Sequence, residues 1–263
     1  MNLELQDRVA IVTGGTSGVG LATARLFLAE GASVAICGRD EARLAAAKAS
    51  LLAGAGSNRL LAMQCDVLDK DAVARFAAAV EQWMGHCDIL VNNAGQARMS
   101  TFANTTDEAW REELELKFFS QIYPVRAFKP MLDKSDAAAI IAVNSLLAYQ
   151  PEPYMVATAA ARAGAQSLVK SLAREFAPRI RVNSILLGLI DSGQWERRFV
   201  VRENKAQTRE EWFANVARER HIPMERLGEP DEVARAIAFL CSPVAGFITG
   251  AQLEISGGTS RHI

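Results

Sequence analysis

Cysteine, histidine and tyrosine are scarce in this 263-residue chain, which has four cysteines, three histidines and three tyrosines. Cys37, Cys65, Cys87 and Cys241 lie far apart. They have neither the spacing of metal ligands nor the density of a disulfide framework, and fit free thiols in a reducing cytoplasm. Charge of one sign is lacking too: 29 Lys and Arg against 30 Asp and Glu leave a net charge of −1. There is therefore no basic footprint for nucleic acid or anionic lipid. No apolar run reaches the ~18 residues of a membrane-spanning helix. The opening stretch MNLELQDRVAIVTGG lacks the basic and then apolar regions of a secretory signal. No Pro/Ser/Gly-rich linker and no internal repeat divides the chain. These absences lead to the expectation of one cytoplasmic domain over residues 1–263 that acts on a small molecule, with no nucleic-acid or membrane partner.

What is present is a rhythm. Arg8–Thr13 is a short β-branched run ending in glycines, the pattern of a strand buried on both faces. From Leu21 to Glu30 apolar residues recur at helical spacing, and Gly31 supplies a stop. The alternation continues with strand Ser33–Cys37, helix Glu41–Leu52, strand Leu60–Gln64, helix Lys70–Met84 and strand Ile89–Val91. It goes on with helix Thr106–Met131, strand Ala138–Val143, helix Tyr154–Phe176, strand Arg181–Leu186, helix Pro230–Leu240 and strand Gln252–Ile255. Such alternation implies βαβ units with right-handed crossovers. The expected fold is α/β: a three-layer, doubly wound parallel sheet of the Rossmann type. The stretch 191–227, rich in Arg and Glu, breaks the rhythm and reads as a helical excursion over the sheet's carboxyl edge, where ligands bind in such folds.

Thr13–Gly20 (TGGTSGVG) lies between the first strand and the first helix. Gly14, Gly18 and Gly20 let the backbone turn sharply and approach a pyrophosphate, while Thr16, Ser17 and Val19 fill the turn that delivers the helix N-terminus. At the end of the second strand Gly38 stands where an NAD site would carry an acid for the ribose 2′-hydroxyl. Arg39 follows, a fork suited to a 2′-phosphate, which favours NADP(H). Asp40, next in line, is the competing acid.

With these pieces in place, the chain resembles the short-chain dehydrogenase/reductases from about Leu5 to Gly258. The matching stretches are TGGTSGVG at 13–20, Cys65-Asp66-Val67, Asn92-Asn93-Ala94-Gly95, Ser145, Arg181-Val182-Asn183, Phe247-Ile248-Thr249-Gly250 and Gly257-Gly258. The resemblance implies that Asp66 and Val67 contact the adenine, and that Asn93, Ala94 and Gly95 pack against the cofactor. Leu187-Gly188-Leu189-Ile190-Asp191-Ser192 matches the family's Pro-Gly-x-x-x-Thr segment, so Gly188, Ile190 and Ser192 are implied to meet the nicotinamide carboxamide. It also implies homo-oligomers, dimers or tetramers, through paired helices. The small residues Ala157, Ala159–Ala161, Ala163 and Gly164 suit that close approach, or equally an ordinary helix on the sheet.

The resemblance fails at the chemistry. The family uses a Tyr as proton donor, a Lys four residues on that lowers the phenol's pKa and binds the nicotinamide ribose, a Ser that orients the carbonyl, and an Asn one helix earlier that anchors a proton-relay water. Ser145 sits where the Ser belongs. The family's spacing then places Thr158 at the Tyr position and Arg162 at the Lys position, and counting from Trp110 places Lys117 at the Asn position. Tyr154, one helical turn before Thr158, leans the wrong way from a helix beginning at Pro153, so lining the substrate pocket suits it better than catalysis. Arg162 keeps the cation but is no proton donor. Lys117 has two readings: desolvated beside Arg162, with a depressed pKa and the role of general acid, or snorkelling to solvent. His86, His221 and His262 read as surface or loop residues, and Trp195, Phe199, Trp212 and Phe213 as a packed helical flap. The expected activity is an NADP(H)-dependent oxidoreductase acting on a carbonyl or secondary alcohol with a non-standard centre of Ser145, Arg162, Thr158, Lys117 and Tyr154. The alternative is an NADP(H)-binding sensor or scaffold without turnover.

Overall fold

The computed structural model describes residues 1–53 and 57–261; His262 lies outside them. The elements in chain order are β1 (Val9–Thr13), α1 (Gly18–Ala29), β2 (Ser33–Gly38), α2 (Glu41–Leu52), β3 (Leu60–Gln64), α3 (Lys70–Met84), β4 (Ile89–Asn92) and α4 (Asp107–Leu132). They continue with β5 (Ala139–Ser145), α5 (Val156–Phe176), β6 (Arg181–Leu187), α6 (Gly193–Val200), α7 (Arg209–Glu219), α8 (Pro230–Cys241) and β7 (Gln252–Ile255). Seven parallel strands form one sheet in the order β3-β2-β1-β4-β5-β6-β7. The strand order reverses between β1 and β4, and there the crevice for a ligand opens at the carboxyl edge.

The period of two along each strand explains the three layers. In β1, Val9 and Ile11 pack into one core with Phe76 of α3 and Phe128 of α4. Ala10 and Val12 pack into another with Phe27 of α1 and Ile237 of α8. The 191–227 stretch carries α6 and α7 and a small core of its own, Phe213, Val216, Ala217, Ile222 and Leu227, with Trp195 and Trp212 against it.

Among the boundaries that differ from the sequence reading, three bear on site residues. α1 begins at Gly18 rather than Leu21, because the glycine motif supplies the first helical turn. β5 runs on to Ser145, which keeps pairing with Leu187 of β6. α5 begins at Val156 and not at Tyr154. The chain ahead of it forms a turn, Met155 N donating to Glu152 O at 2.9 Å, and is held to the 100 segment because Ser100 N donates to Tyr154 O at 2.9 Å and Val156 N donates to Ser100 O at 3.2 Å. The lean of helical side chains therefore does not govern Tyr154.

Candidate active site

The glycine motif is packed too tightly for side chains. A Cβ on Gly20 would lie 2.3 Å from Gly14 O and 2.5 Å from Asn93 Nδ2, and one on Gly14, at φ 65°, would lie 2.9 Å from Ala94 Cα. Asn93 holds the loop from the other side: its Nδ2 donates to Thr13 O and Gly14 O at 3.0 and 3.1 Å. Asn93 N and Ala94 N both donate to Thr13 Oγ1. Ser17 caps α1 without a side-chain hydrogen bond, so no hydroxyl covers the first-turn amides. An anion-binding helix terminus results. Ser192 closes the far side, its Cβ 3.8 Å from the position of a Cβ on Gly18. Gly188 could not carry a Cβ either, since it would lie 2.8 Å from Ser256 Cα. Ile190, on the same segment, is held by a bridge to Gly228. These residues fit a dinucleotide laid across the β1–β4 crevice.

At the end of β2, a Cβ on Gly38 would collide with Thr16 Cγ2 at 2.6 Å, which accounts for the glycine in packing terms. Asp40 is occupied as the cap of α2, its Oδ1 accepting from Arg43 N at 2.8 Å. Arg39 is exposed, with its nearest carboxylate, Asp66, at 3.9 Å. Asp66 Oδ1 itself accepts from Leu68 N at 3.0 Å, and Val67 is buried. Gly95 follows Ala94 at the crevice with open space around it.

The catalytic end is polar and buried. Lys117 and Glu113, one helical turn apart on α4, are 5% and 2% exposed. Lys117 Nζ donates to Glu113 Oε2 at 3.0 Å, and the side chain does not snorkel. Burial, with repulsion from Arg162, lowers the Lys117 ammonium to about 8, although Glu113 pulls it upward. Thr158 lies 2.6 Å from the same Glu113 Oε2 and 3.0 Å from Arg98 O. Its hydroxyl also accepts from Arg98 N at 3.2 Å. Thr158 thus fastens the 98 segment to α5 and is fully buried. Thr158→Val leaves the backbone N–H and carbonyl of Arg98 without this partner, and urea unfolding is expected to show a loss of about 1–3 kcal/mol.

Arg162 Nη1 donates to Asn144 Oδ1 at 3.1 Å, and that oxygen also accepts from Ser145 N at 2.9 Å. Asn144 so ties the guanidinium to the backbone of Ser145. Arg162 Nε is buried without a partner, a donor that a bound ribose hydroxyl would satisfy. Burial lowers Arg162 to about 10, which leaves it charged at neutral pH. Gln166 accepts from Asn144 Nδ2 and donates to Ser184 Oγ, fixing the amide's orientation.

Ser145 borders a cavity of about 230 Å³, as do Tyr154, Gly188 and Trp195; Thr158, Lys117 and Arg162 do not. The structure so brings Ser145 and Tyr154 together on a wall and sets Lys117, Thr158 and Arg162 behind it. The Tyr154 hydroxyl is bonded to Arg220 Nη1, and Arg220 lies over the tyrosine ring. Sequence reasoning missed Glu113, Asn144, Arg98 and Gln166. Only Glu113 had a local signal, an acid four residues before a lysine on a helix.

A family model described as enoyl-(acyl carrier protein) reductase matches residues 14–260. The chain belongs to the short-chain dehydrogenase/reductase family. Among solved members, an NADPH-bound short-chain oxidoreductase from Pseudomonas aeruginosa PAO1, described as containing an atypical catalytic center, is 57% identical. It superposes with a TM-score of 0.91, over 98% of this chain and 100% of that one. L-sorbose reductase from Gluconobacter frateurii, complexed with NADPH and L-sorbose, is 32% identical with a TM-score of 0.94 over the whole of both chains. The 3-oxoacyl-(acyl-carrier-protein) reductase of Chlamydia muridarum is 33% identical over 98% of this chain and 99% of its own length. Within this dehydrogenase/reductase, no described helix is long and apolar enough to cross a membrane. Among the described residues, no group of three or more His, Cys, Asp or Glu is arranged to hold a metal ion.

Proposed function

We propose that this chain is an NADP(H)-dependent oxidoreductase that interconverts a carbonyl and a secondary alcohol, using Ser145, Lys117 and Arg162 where its family uses a phenol. NADPH, when bound, supplies the hydride. Gly14, Gly18 and Gly20 would hold its pyrophosphate, Arg39 its 2′-phosphate, Asp66 and Val67 its adenine, and Arg162 its nicotinamide ribose. NADPH-bound structures of the Pseudomonas and Gluconobacter relatives support this choice. So does the engagement of Asp40 as a helix cap, which removes it as a ribose ligand.

The observation that carries the reading is the charge balance behind Ser145. Two buried cations, Lys117 and Arg162, face one buried carboxylate, Glu113. Ser145 holds the substrate oxygen on the cavity side. Negative charge that develops on that oxygen is stabilised by the surplus cation across a low-dielectric layer. Lys117, the buried group that gives up its proton near neutral pH, supplies the proton through one intervening hydroxyl or water. Tyr154, bonded to Arg220, borders the substrate rather than protonating it. The site at Thr158 is charged, not apolar, and this favours turnover over a sensor or scaffold. We place the enzyme in the cytoplasm and assign it a homotetramer, for which Leu114 and Phe119 of α4, exposed large apolar residues, offer contact surface.

Nucleotide titration followed by nicotinamide fluorescence tests the cofactor. NADPH binds more tightly than NADH, and Arg39→Ala weakens NADPH on the order of 10–100-fold while leaving NADH unchanged. Equal affinity for the two nucleotides in the unaltered protein would overturn the assignment. Turnover is tested by NADPH oxidation against a panel of ketones and aldehydes.

A further inference from the structure

The cavity beside Ser145 is positively charged in a chain that is nearly neutral. Three arginines border it, Arg198, Arg220 and Arg261, against a single acid, Glu152. The rest of the wall is largely apolar and includes Met99, Leu146, Met155, Leu189 and Trp195.

Two of the described arginines elsewhere in the excursion are neutralised by acids. Arg209 pairs with Asp191 and Glu196, and Arg226 with Glu232. Arg202 gives its terminal nitrogens to the carbonyls of Phe199, Lys205 and Gln207. Arg198 and Arg220 differ: among the described residues, no carboxylate lies within ion-pair distance of either. Both are instead held by neutral groups. Arg198 lies 4.6 Å over the Trp195 ring and donates to Met99 Sδ at 3.3 Å. Arg220 lies 5.4 Å over the Tyr154 ring and bonds its hydroxyl. Aromatic faces fix a guanidinium in place without satisfying the N–H groups of its edge. The two cations also repel: partial burial and the charge of Arg220 both lower Arg198 below its ordinary value. Two like charges kept together on a cavity wall, each with unused planar donors, complement an oxyanion, and a carboxylate or phosphate would pair with both.

We infer that the substrate is a carbonyl compound carrying an oxyanion, its carbonyl at Ser145 and its anionic end clamped by Arg198 and Arg220 across an apolar spacer. This rests on the reading of the protein as a carbonyl reductase for the role of Ser145, but the clamp itself does not require turnover. The cavity, about 230 Å³, suits a small oxo acid or oxo phosphate. The surplus of arginines over the single acid Glu152 on the same wall disfavours a cationic end.

Binding and turnover are measured separately. Levulinate and its methyl ester, and dihydroxyacetone phosphate and dihydroxyacetone, are titrated into the NADPH complex while tryptophan fluorescence is followed, Trp195 being the reporter beneath Arg198. The anionic member of at least one pair binds roughly 10–100-fold more tightly than its neutral partner. Arg198→Met and Arg220→Met each remove most of that preference, weakening the anion far more than the neutral compound. Arg220→Lys retains part of it, and rising salt weakens only the anion. Preference for levulinate identifies a carboxylate substrate, and preference for dihydroxyacetone phosphate a phosphorylated one. Equal binding within both pairs, no binding of either anion, or a preference that survives both arginine variants overturns the clamp. Arginine-dependent anion binding without NADPH oxidation toward any carbonyl upholds the clamp and overturns the reductase reading instead.

Discussion

Replacing Lys117 by methionine is expected to lower NADPH-dependent carbonyl reduction about 10²–10⁴-fold with little change in NADPH affinity, the range that a positioned general acid supplies. The physical basis is the burial of Lys117 beside Arg162, which brings its ammonium down to about 8. Reduction consumes a proton, so it needs the charged form and falls as pH rises through about 8. Oxidation of the alcohol needs the neutral form and rises over the same interval. Lys117→Met removes this inflection from both directions. Lys117→Arg keeps the charge but releases no proton there, so it retains part of the rate and loses the inflection. An inflection that persists near pH 8 in Lys117→Met would exclude Lys117 as the donor. The same shift has a stability consequence of definite sign. The folded pKa of about 8 lies below the ordinary 10.5, so between those values the unfolded chain binds more protons. Stability therefore gains from this group as pH rises from about 8 toward 10.5, and the full penalty applies below about 8.

Glu113→Leu is expected to be the most destabilising change at the site, by about 3–5 kcal/mol in urea unfolding at pH 7. The carboxylate is the buried counter-charge to Lys117, it raises the ionisation of Arg162, and it lies 2.6 Å from the hydroxyl of Thr158. Without it two cations share a buried space with no anion. A drop in Tm on the order of 10 °C corresponds to that loss. Two further readouts separate electrostatics from packing. The pH inflection of turnover moves below its position in the unaltered protein, because Glu113 holds the Lys117 pKa up. Adding Lys117→Met to Glu113→Leu restores part of the stability, since one uncompensated charge is removed. If Glu113→Leu changes neither the unfolding midpoint nor the inflection, the buried pair has no energetic weight.

Particular residues show how far the sequence reaches. The glycine motif was legible because the demand is local: Gly14 needs a positive φ, and Gly20 must let Gly14 O and Asn93 approach closely. Strands and helices were legible through their periods of two and 3.6, and four of the elements run between the very residues expected. The start of α5 was not, because it depends on the non-local pairing of Ser100 with Met155, and Pro153 mimics a helix start. Gly164, one of the small residues suited to a subunit contact, instead makes room for Phe118 of α4, whose Cζ would meet a Cβ there at 2.6 Å. That close approach lies within the chain.

By itself the sequence determined the parallel α/β fold, the dinucleotide cradle and the positions where a Tyr, a Lys and an Asn give way to Thr158, Arg162 and Lys117. Tertiary structure alone decided what those side chains touch. Whether Lys117 was buried or wet depended on how α4 seats against α5, and the meeting of Glu113 with Thr158 spans 45 positions of chain. Arg220 reaches Tyr154 across 66 positions. Backbone periodicity is written into neighbouring residues, whereas the partner of a buried charge is set by which helix faces the crossovers bring together.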